Sequence, residues 1–293
     1  LMNTIKMKSY LNENACRKAI IIGGGFIAME MCEAFRNLGI ETTVMIRGCR
    51  PVTRWDTEFT DQIIEELKKN EVSFVPETKF LAREKGTDSR LVLKTDKGDM
   101  DTDIILMGLG VRHNVELVNQ AGIEIGETGA IKVDHRQRTS VPEIYAVGDC
   151  SEAFHRIIKR WVNFPLGDIA NKQGRVAGQN IGGNPVEFPG IVGAQSFKVF
   201  DLEVGATGLT EKEAIHYGFQ PVSAFIQGIP VARPMSQGEK LGIKLIADKT
   251  TGRLLGGQCI GGKGAIQRTF ALSVALWSEM NINEVGYLDL PYA

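Results

Sequence analysis

The first part of the chain shows an apolar pattern that predicts a parallel α/β unit. A short apolar run at residues 19–22 is followed by three glycines and then by apolar residues at helical spacing. The inward face of this helix is predicted to comprise Ile27, Met31, Ala34, Phe35 and Leu38. Gly39 would end the helix, and residues 42–46 predict a second buried strand. The predicted order is therefore strand, glycine turn, helix, strand.

The same reading predicts elements of ordinary length along the rest of the chain. Helices are predicted at about 1–17, 57–69, 168–181 and 265–279. Strands are predicted at 72–76, 90–95, 100–102, 103–107 and 144–149, with several more after residue 192. The strand at 144–149 is expected to be buried and to end in Gly148-Asp149. We expect a nucleotide-binding domain over residues 18–116 and an α+β domain at the C-terminal end.

Composition excludes several classes of function. The chain has 293 residues, 43% of them hydrophobic, and a formal net charge of −1. Without a basic face or a long apolar run, we expect no nucleic-acid partner and no membrane partner. The five cysteines are scattered and lack metal-ligand spacing, so no metal is expected. Scattered thiols and the lack of a signal peptide favour a cytoplasmic protein.

The glycine turn predicts the chemistry. Gly23-x-Gly25-x-x-Ala28 matches the dinucleotide fingerprint, with alanine in the third place. Gly23 permits a tight turn, Gly25 lets a pyrophosphate approach the backbone, and Ala28 lets the helix pack on the sheet. The predicted contacts with the dinucleotide at this turn are Gly23, Gly24, Gly25, Phe26 and Ile27. The alternative is a glycine turn in an α/β unit that binds no nucleotide.

The end of the second strand predicts which dinucleotide binds. NAD-selective sites have an acidic side chain here for the ribose 2′-hydroxyl, but Ile46 occupies this place. Arg47, Arg50 and Arg54 follow, and guanidinium groups bind phosphate bidentately. We therefore expect NADP(H) to bind at least as well as NAD(H), with Arg47 as the main contact. The alternative is a solvated arginine loop.

An ordered set of motifs resembles the flavin-dependent pyridine nucleotide–disulfide oxidoreductases, nearest to the coenzyme A-disulfide reductase and NADH oxidase branch. The motifs are GGGFIAMEMCEAF, GLGVRHN, GAIKVDHRQRTSVPEIYAVGDC, NKQGRVAGQNIGG, FDLEVGATGLTEKEA and LDLPYA. The resemblance implies an α/β fold in which a Rossmann-like NAD(P)-binding domain is inserted in an FAD-binding domain, followed by an α+β dimerisation domain. The implied parts are a linker (1–17), the NAD(P) domain (18–116), the second FAD segment (117–186) and the dimerisation domain (187–293).

The resemblance also implies roles for particular residues. Glu30 would lie near the nicotinamide, unless it is an ordinary solvated helix residue. Gly108 and Gly110 would let a flat ring lie against the backbone, although His113 replaces the family's usual proline nearby. Asp149 would bind the FAD ribityl chain, or else act as a helix N-cap. The remaining implied contacts are Pro165, Leu166 and Ala170 with FAD, and Tyr292 with the flavin site of a homodimer partner.

The activity implied by the resemblance is hydride transfer from NAD(P)H to FAD and then to a small-molecule disulfide, in the first place coenzyme A disulfide. An NADH oxidase that reduces oxygen is the alternative, and a noncatalytic NAD(P)-binding dimer module is an alternative of another class. No cysteine matches the family's redox cysteine, and Cys32 is expected in the core. We expect the chain to be a fragment that lacks the first FAD segment and that does not turn over by itself.

Overall fold

The computed structural model describes residues 2–86, 90–231 and 240–290. These residues form two compact units. The first contains the chain up to Gly110 together with Phe197–Val204 and Ile260–Lys263, and the second contains the remainder. None of the helices in the described ranges combines the length and apolar character needed to cross a membrane.

The first unit contains a parallel sheet of the Rossmann kind. Its helices are α1 (Met2–Glu13), α2 (Phe26–Asn37) and α3 (Thr57–Lys69), and its strands are β1 (Lys18–Ile22), β2 (Glu41–Met45), β3 (Ser73–Val75), β4 (Phe80–Lys85), β5 (Leu91–Thr95), β6 (Gly98–Thr102) and β7 (Ile104–Met107). The sheet order is β3-β2-β1-β7, and each neighbouring pair is parallel. Strands β4, β5 and β6 form a separate antiparallel sheet. The predicted strand–glycine turn–helix–strand order is confirmed.

The buried face of α2 differs from the predicted one. The helix buries Ala28, Met29, Cys32 and Phe35. Ile27 is 58% exposed, Leu38 is 63% exposed and Ala34 is also exposed, so the prediction of these three as inward residues is wrong. Ala28, Met29, Cys32 and Phe35 are each 0% exposed and recur at helical spacing, so their face of α2 packs on the sheet. Ile27 and Leu38 therefore face outward.

The second unit is mixed α and β. Its elements are α4 (Glu116–Gln120), β8 (Ala153–His155), β9 (Arg160–Val162), α5 (Gly167–Ile181), β10 (Gln195–Val199), β11 (Leu202–Gly208), α6 (Glu211–His216), β12 (Pro221–Gly228), β13 (Leu241–Asp248), β14 (Leu254–Gly261), α7 (Ala265–Trp277) and α8 (Ile282–Gly286); parts of β10, β11 and β14 belong to the first unit. Strands β10-β11-β14-β13-β12 form one sheet, in which every residue of β14 is buried. Leu254 and Leu255 of β14 share a core cluster with Ala275 and Leu276 of α7.

The predicted buried strand at residues 144–149 is wrong. Tyr145 makes one isolated bridge with Arg138, and Gly148–Cys150 forms a short 3-10 turn. Ile144 is 40% exposed. An apolar run becomes a strand only when a neighbouring strand pairs with it along its length, and no described strand pairs here. The apolar run at residues 144–147 therefore does not become a strand of a sheet.

Candidate functional site

The glycine turn after β1 is fixed by its contact with the end of β7. Gly23 has a φ of +126°, and a Cβ on it would lie 2.1 Å from the carbonyl oxygen of Gly108. The Gly23 N–H donates to the Met45 carbonyl oxygen at 2.9 Å, and the Gly108 N–H donates to the Ile22 carbonyl oxygen at 2.8 Å. The protein's own backbone therefore requires glycine at position 23, whether or not a nucleotide binds.

Gly25 is different because the protein leaves space beside it. Its φ of −83° is allowed for any residue, and apart from its chain neighbours no atom of the described residues lies within 4 Å of the position of a Cβ. Gly25 is also the N-cap of α2, where no side chain caps the helix. The N–H groups and the positive dipole end of a helix start bind anions. This open, uncapped glycine turn fits a pyrophosphate.

Several exposed side chains lie on α2 and at the end of β7, the two elements that flank the glycine turn. Ile27 and Glu30 are exposed on α2, and Met107 and Leu109 are exposed at the end of β7. Gly110 has a φ of +93°, a conformation that favours glycine. Ligands of open parallel sheets bind outside the carboxyl ends of the strands. The first unit therefore places Ile27, Glu30, Gly108 and Gly110 on elements at the expected edge of the sheet.

The loop after β2 contains two arginines that differ in their partners: Arg47 has no described partner, and Arg50 binds two residues of α3. Arg47 is exposed and has no hydrogen-bond or ion-pair partner among the described residues. Arg50 donates to the Thr60 hydroxyl at 3.1 Å and forms an ion pair with Asp61 on α3. Ile46 is buried and supplies no acid. An incoming phosphate would meet the unpaired guanidinium of Arg47, whereas Arg50 already has an anionic partner.

In the second unit, the turn that contains Asp149 lies at the start of α5. The Gly148 N–H donates to Oε1 of Gln173 at 2.9 Å, and a Cβ on Gly148 would lie 3.5 Å from the Cβ of Ala170. Asp149 is exposed; Asn163 donates to its backbone carbonyl at 3.0 Å, and no described residue binds its carboxylate. The N-cap of α5 is Leu166, so the alternative of Asp149 as the helix cap is wrong.

The start of α5 resembles the start of α2 in lacking a side-chain cap, but unlike α2 it has an acid, Asp168, in its first turn. Leu166 provides no side-chain cap, and Pro165 before it is exposed. The N–H groups at this helix start are hydrogen-bond donors. The carboxylate of Asp149, next to the Gly148 that bonds to α5, is an acceptor. This donor set fits the phosphate and hydroxyl groups of a dinucleotide such as FAD.

Two residues at these sites, Gln173 and Trp55, were not predicted from the sequence. Gln173 is buried, and besides accepting from Gly148 it donates to the Glu152 carbonyl oxygen at 3.0 Å. Trp55 is buried against Phe26 and Phe197. A polar residue at an inward position of α5 was a usable signal for Gln173. No local signal links Trp55 with Phe197, because their contact depends on the tertiary fold.

The cysteines divide into buried and accessible thiols. Cys32 is in the core, as predicted, and burial raises its pKa to about 12. Burial also raises the pKa of Cys259 to about 11. Cys49 is exposed in the loop after β2. The described residues contain no group of three or more His, Cys, Asp or Glu side chains that could hold a metal ion. Tyr292 lies outside the described residues.

We expect iodoacetamide at pH 8 to alkylate Cys49 in the native protein while Cys32 and Cys259 remain unmodified. The thiolate is the reactive form, and burial both raises the pKa of these two thiols and blocks the reagent. Peptide mass spectrometry after timed labelling measures the three rates separately. A urea-unfolded sample is the control, and there all three should react alike. Native labelling of Cys32 at the rate of Cys49 would contradict the burial of α2.

Comparison with known proteins agrees with this geometry. Residues 2–166 match the family profile described as pyridine nucleotide-disulphide oxidoreductase, and residues 194–288 match the dimerisation domain of the same family. The chain is 36% identical over 292 residues to an NAD(P)H sulfur oxidoreductase (CoA-dependent) of Pyrococcus abyssi. The match covers 99% of this chain and 65% of that relative, so the chain spans about two thirds of its length.

Solved structures give the same result. The reduced CoADR-RHD protein of Bacillus anthracis superposes with a TM-score of 0.94 at 31% identity, covering 100% of this chain and 52% of that one. An engineered water-forming NADPH oxidase, made from the NADH oxidase of Lactobacillus brevis and bound to NADPH, has a TM-score of 0.90 at 26% identity, covering 97% and 64% of the two chains. Its five substitutions remove an aspartate and add two arginines. This chain belongs to the pyridine nucleotide-disulphide oxidoreductase family.

Proposed function

We propose that the protein containing this chain transfers a hydride from NAD(P)H to FAD and passes the electrons to a disulfide, in the first place coenzyme A disulfide. The observation that carries the proposal is the turn at Gly25, which is open, uncapped and placed at the carboxyl end of a parallel sheet. The similarity to a CoA-dependent NAD(P)H sulfur oxidoreductase supports a sulfur substrate linked to coenzyme A. The cofactors supply the hydride and electron transfer, and the chain binds and orients them.

On the nicotinamide side, the backbone of the glycine turn and the start of α2 would hold the pyrophosphate. Gly23, Gly24, Gly25, Phe26 and Ile27 are the contacts that we assign to this role. The exposed carboxylate of Glu30 would accept an N–H from the nicotinamide carboxamide, which fixes the orientation of the ring. Gly108 and Gly110 present backbone without side chains, which suits the flat ring.

On the flavin side, we assign the second part of the FAD site to the turn at Asp149 and to the start of α5. The Asp149 carboxylate would accept a hydrogen bond from a ribityl hydroxyl. Ala170 lies against this turn, Pro165 and Leu166 immediately precede α5, and the N-cap Leu166 makes no side-chain hydrogen bond to the helix N–H groups. Gln173 holds the turn in place through the Gly148 N–H.

For the cofactor, we propose a preference for NADP(H), with Arg47 as the main contact to the 2′-phosphate and Arg50 as a weaker one. Ile46 is buried at the position of the usual acid, and Arg47 is exposed without a described partner. The engineered NADPH oxidase, which lost an aspartate and gained two arginines relative to an NADH oxidase, supports this assignment.

Oxygen is the alternative electron acceptor, because the chain is also similar to a water-forming NADH oxidase. A noncatalytic NAD(P)-binding module is the alternative of another class. A visible absorption spectrum of the purified protein tests the flavin, and anaerobic NADPH oxidation with coenzyme A disulfide, compared with aerobic oxidation without it, tests the acceptor. Bound flavin with disulfide-dependent turnover supports the proposal. A colourless protein that binds NADPH would contradict the flavin assignment and support the noncatalytic NAD(P)-binding module.

We further propose a cytoplasmic homodimer formed through residues from about 188 to 293, in which Tyr292 reaches the partner's flavin site. The match of residues 194–288 to the family's dimerisation domain supports it. The outer surface of α7 exposes Phe270 and Val274, one helical turn apart, which an interface would cover. Sedimentation at micromolar concentration should give twice the mass of the 32.1 kDa chain. A monomer at that concentration would count against the dimer.

Replacing Asp149 by alanine should weaken flavin binding by about tenfold or more, because a hydrogen bond to a charged acceptor contributes about 1.5–3 kcal/mol. Asp168→Ala is the matched control, since Asp168 is also an exposed acid near the start of α5 but is paired with Lys172 at 3.0 Å. Flavin titration by fluorescence measures both variants. Equal losses in the two variants would show that general charge, and not the Asp149 site, determines binding.

A further inference from the structure

The loop between β2 and α3 is folded back onto the glycine turn. The Val52 N–H donates to the Gly24 carbonyl oxygen at 2.7 Å. A Cβ on Gly24 would lie only 3.3 Å from the Cα of Pro51. Val52 itself has a φ of +41°, a strained conformation for a β-branched residue. Strain of this kind persists only where surrounding contacts hold it, so this part of the loop is held firmly.

An aromatic cluster also holds this part of the loop. Trp55 is 4% exposed and packs edge-on against Phe26 and Phe197, with ring centroids 5.2 and 5.3 Å apart. Phe26 and Phe197 stack on each other at 5.2 Å with an interplanar angle of 28°. Phe26 is the first residue of α2, directly after Gly25. The indole of Trp55 therefore joins the end of the loop to the first helical residue of the fingerprint.

The other end of the loop is held by β3 and the turn after it. The Ile46 N–H donates to the Val75 carbonyl oxygen at 3.0 Å, and the Glu77 N–H donates to the Gly48 carbonyl oxygen at 3.0 Å. The segment 47–49, which contains Arg47 and Cys49, is exposed. The exposed cation thus projects from a loop that is fastened at both ends.

We propose that Trp55 is a positioning residue for the dinucleotide site: its indole fastens the loop to the glycine turn and so holds Arg47 ready for the 2′-phosphate of NADP(H). This inference rests on the proposed binding of NADP(H). Holding a charged side chain in place before binding lowers the entropy lost when the ligand binds, so affinity depends on the support as well as on the contact. Trp55 touches no cofactor in this role.

The chemistry of the cluster favours a packing role over a hydrogen-bonding one. The indole Nε1 is buried and has no hydrogen-bond partner among the described residues. Leaving such a donor unpaired costs about 1–3 kcal/mol. A smaller aromatic ring would remove this cost while keeping an edge-on contact with Phe26. Trp55→Phe should therefore keep the loop in place, whereas Trp55→Leu loses the aromatic contacts.

The experiment compares the dissociation constants of NADPH and NADH for the wild type and four variants, measured by calorimetry on the full chain. Trp55→Leu should weaken NADPH binding about tenfold and NADH binding by less than about threefold, because only NADPH uses Arg47. Trp55→Phe should remain within about threefold of the wild type for both. Trp161→Leu is the matched control, since Trp161 also packs edge-on in an aromatic cluster but in the second unit. It should change neither constant.

Phe197→Leu removes the second ring that packs against the Trp55 indole and should lower the NADPH affinity selectively. This variant tests the proposal even if Trp55→Leu does not fold. Equal losses for the two cofactors in every variant of the cluster would overturn the proposal, because a general structural role does not discriminate between them. No loss in any variant would also overturn it. If the wild type binds neither cofactor, the proposed function itself fails, which is a separate outcome.

Discussion

Gly23→Ala is expected to destabilise the first unit by about 4 kcal/mol or more, a loss that few single substitutions reach. The new methyl group would lie 2.1 Å from the Gly108 carbonyl oxygen, and a φ of +126° is strained for alanine. Neither the end of β1 nor the end of β7 can move without breaking the parallel ladder that joins these two strands. Thermal unfolding followed by circular dichroism should show a Tm lowered by about 15 °C or more for this unit.

Gly25→Ala is the matched control and separates folding from binding. Its methyl group would enter open space at a φ that alanine accepts, so stability should change by less than about 1 kcal/mol. Binding of NADPH and NADH should fall by about tenfold or more, since the methyl group occupies space that the pyrophosphate needs. A Gly25→Ala variant with normal affinity for both cofactors would mean that the pyrophosphate binds elsewhere.

The elements of the first unit were predictable because their signals are local. The apolar run, the glycines and the amphipathic helix lie next to one another in the sequence, and the same order appears as β1, the turn, α2 and β2. The rotation of α2 was not predictable in this way. Apolar residues lie on the side of α2 with Ile27 and Leu38 as well as on the side with Ala28 and Phe35, and only the packing of the folded helix on the sheet shows that the second side is buried.

The flavin-side turn shows a second limit. Apolar character at residues 144–147 predicted a strand, but strand formation needs a partner along its whole length, and that partner is not encoded locally. The position of Asp149 depends on the bond between Gly148 and Gln173, which lie far apart in the sequence. The motif made Asp149 a candidate, which stays a prediction, whereas Gln173, the residue that supports its turn, became visible only in the fold.

Arg47, Arg50 and Arg54 follow β2, with Arg47 predicted as the main contact to the 2′-phosphate, and the structure distinguishes the first two. Arg47 is exposed with no described partner, while Arg50 is held by Thr60 and Asp61. A phosphate that recruits Arg50 must compete with Asp61 for the guanidinium, so the gain is smaller. A phosphate that recruits Arg47 replaces only water. The two positions therefore form a matched pair for testing the preference for NADP(H).

Arg47→Ala should weaken NADPH binding by about tenfold or more and leave NADH binding nearly unchanged, because a hydrogen bond to a charged group contributes about 1.5–3 kcal/mol. Arg50→Ala should weaken NADPH binding by less than about threefold. Calorimetric titration of both cofactors at two salt concentrations measures the effects, and added salt should reduce the NADPH preference of the wild type, since screening weakens exposed charge pairs. Tighter binding of NADH than NADPH by the wild type, unaffected by Arg47→Ala, would contradict the assignment and leave these arginines as a solvated loop.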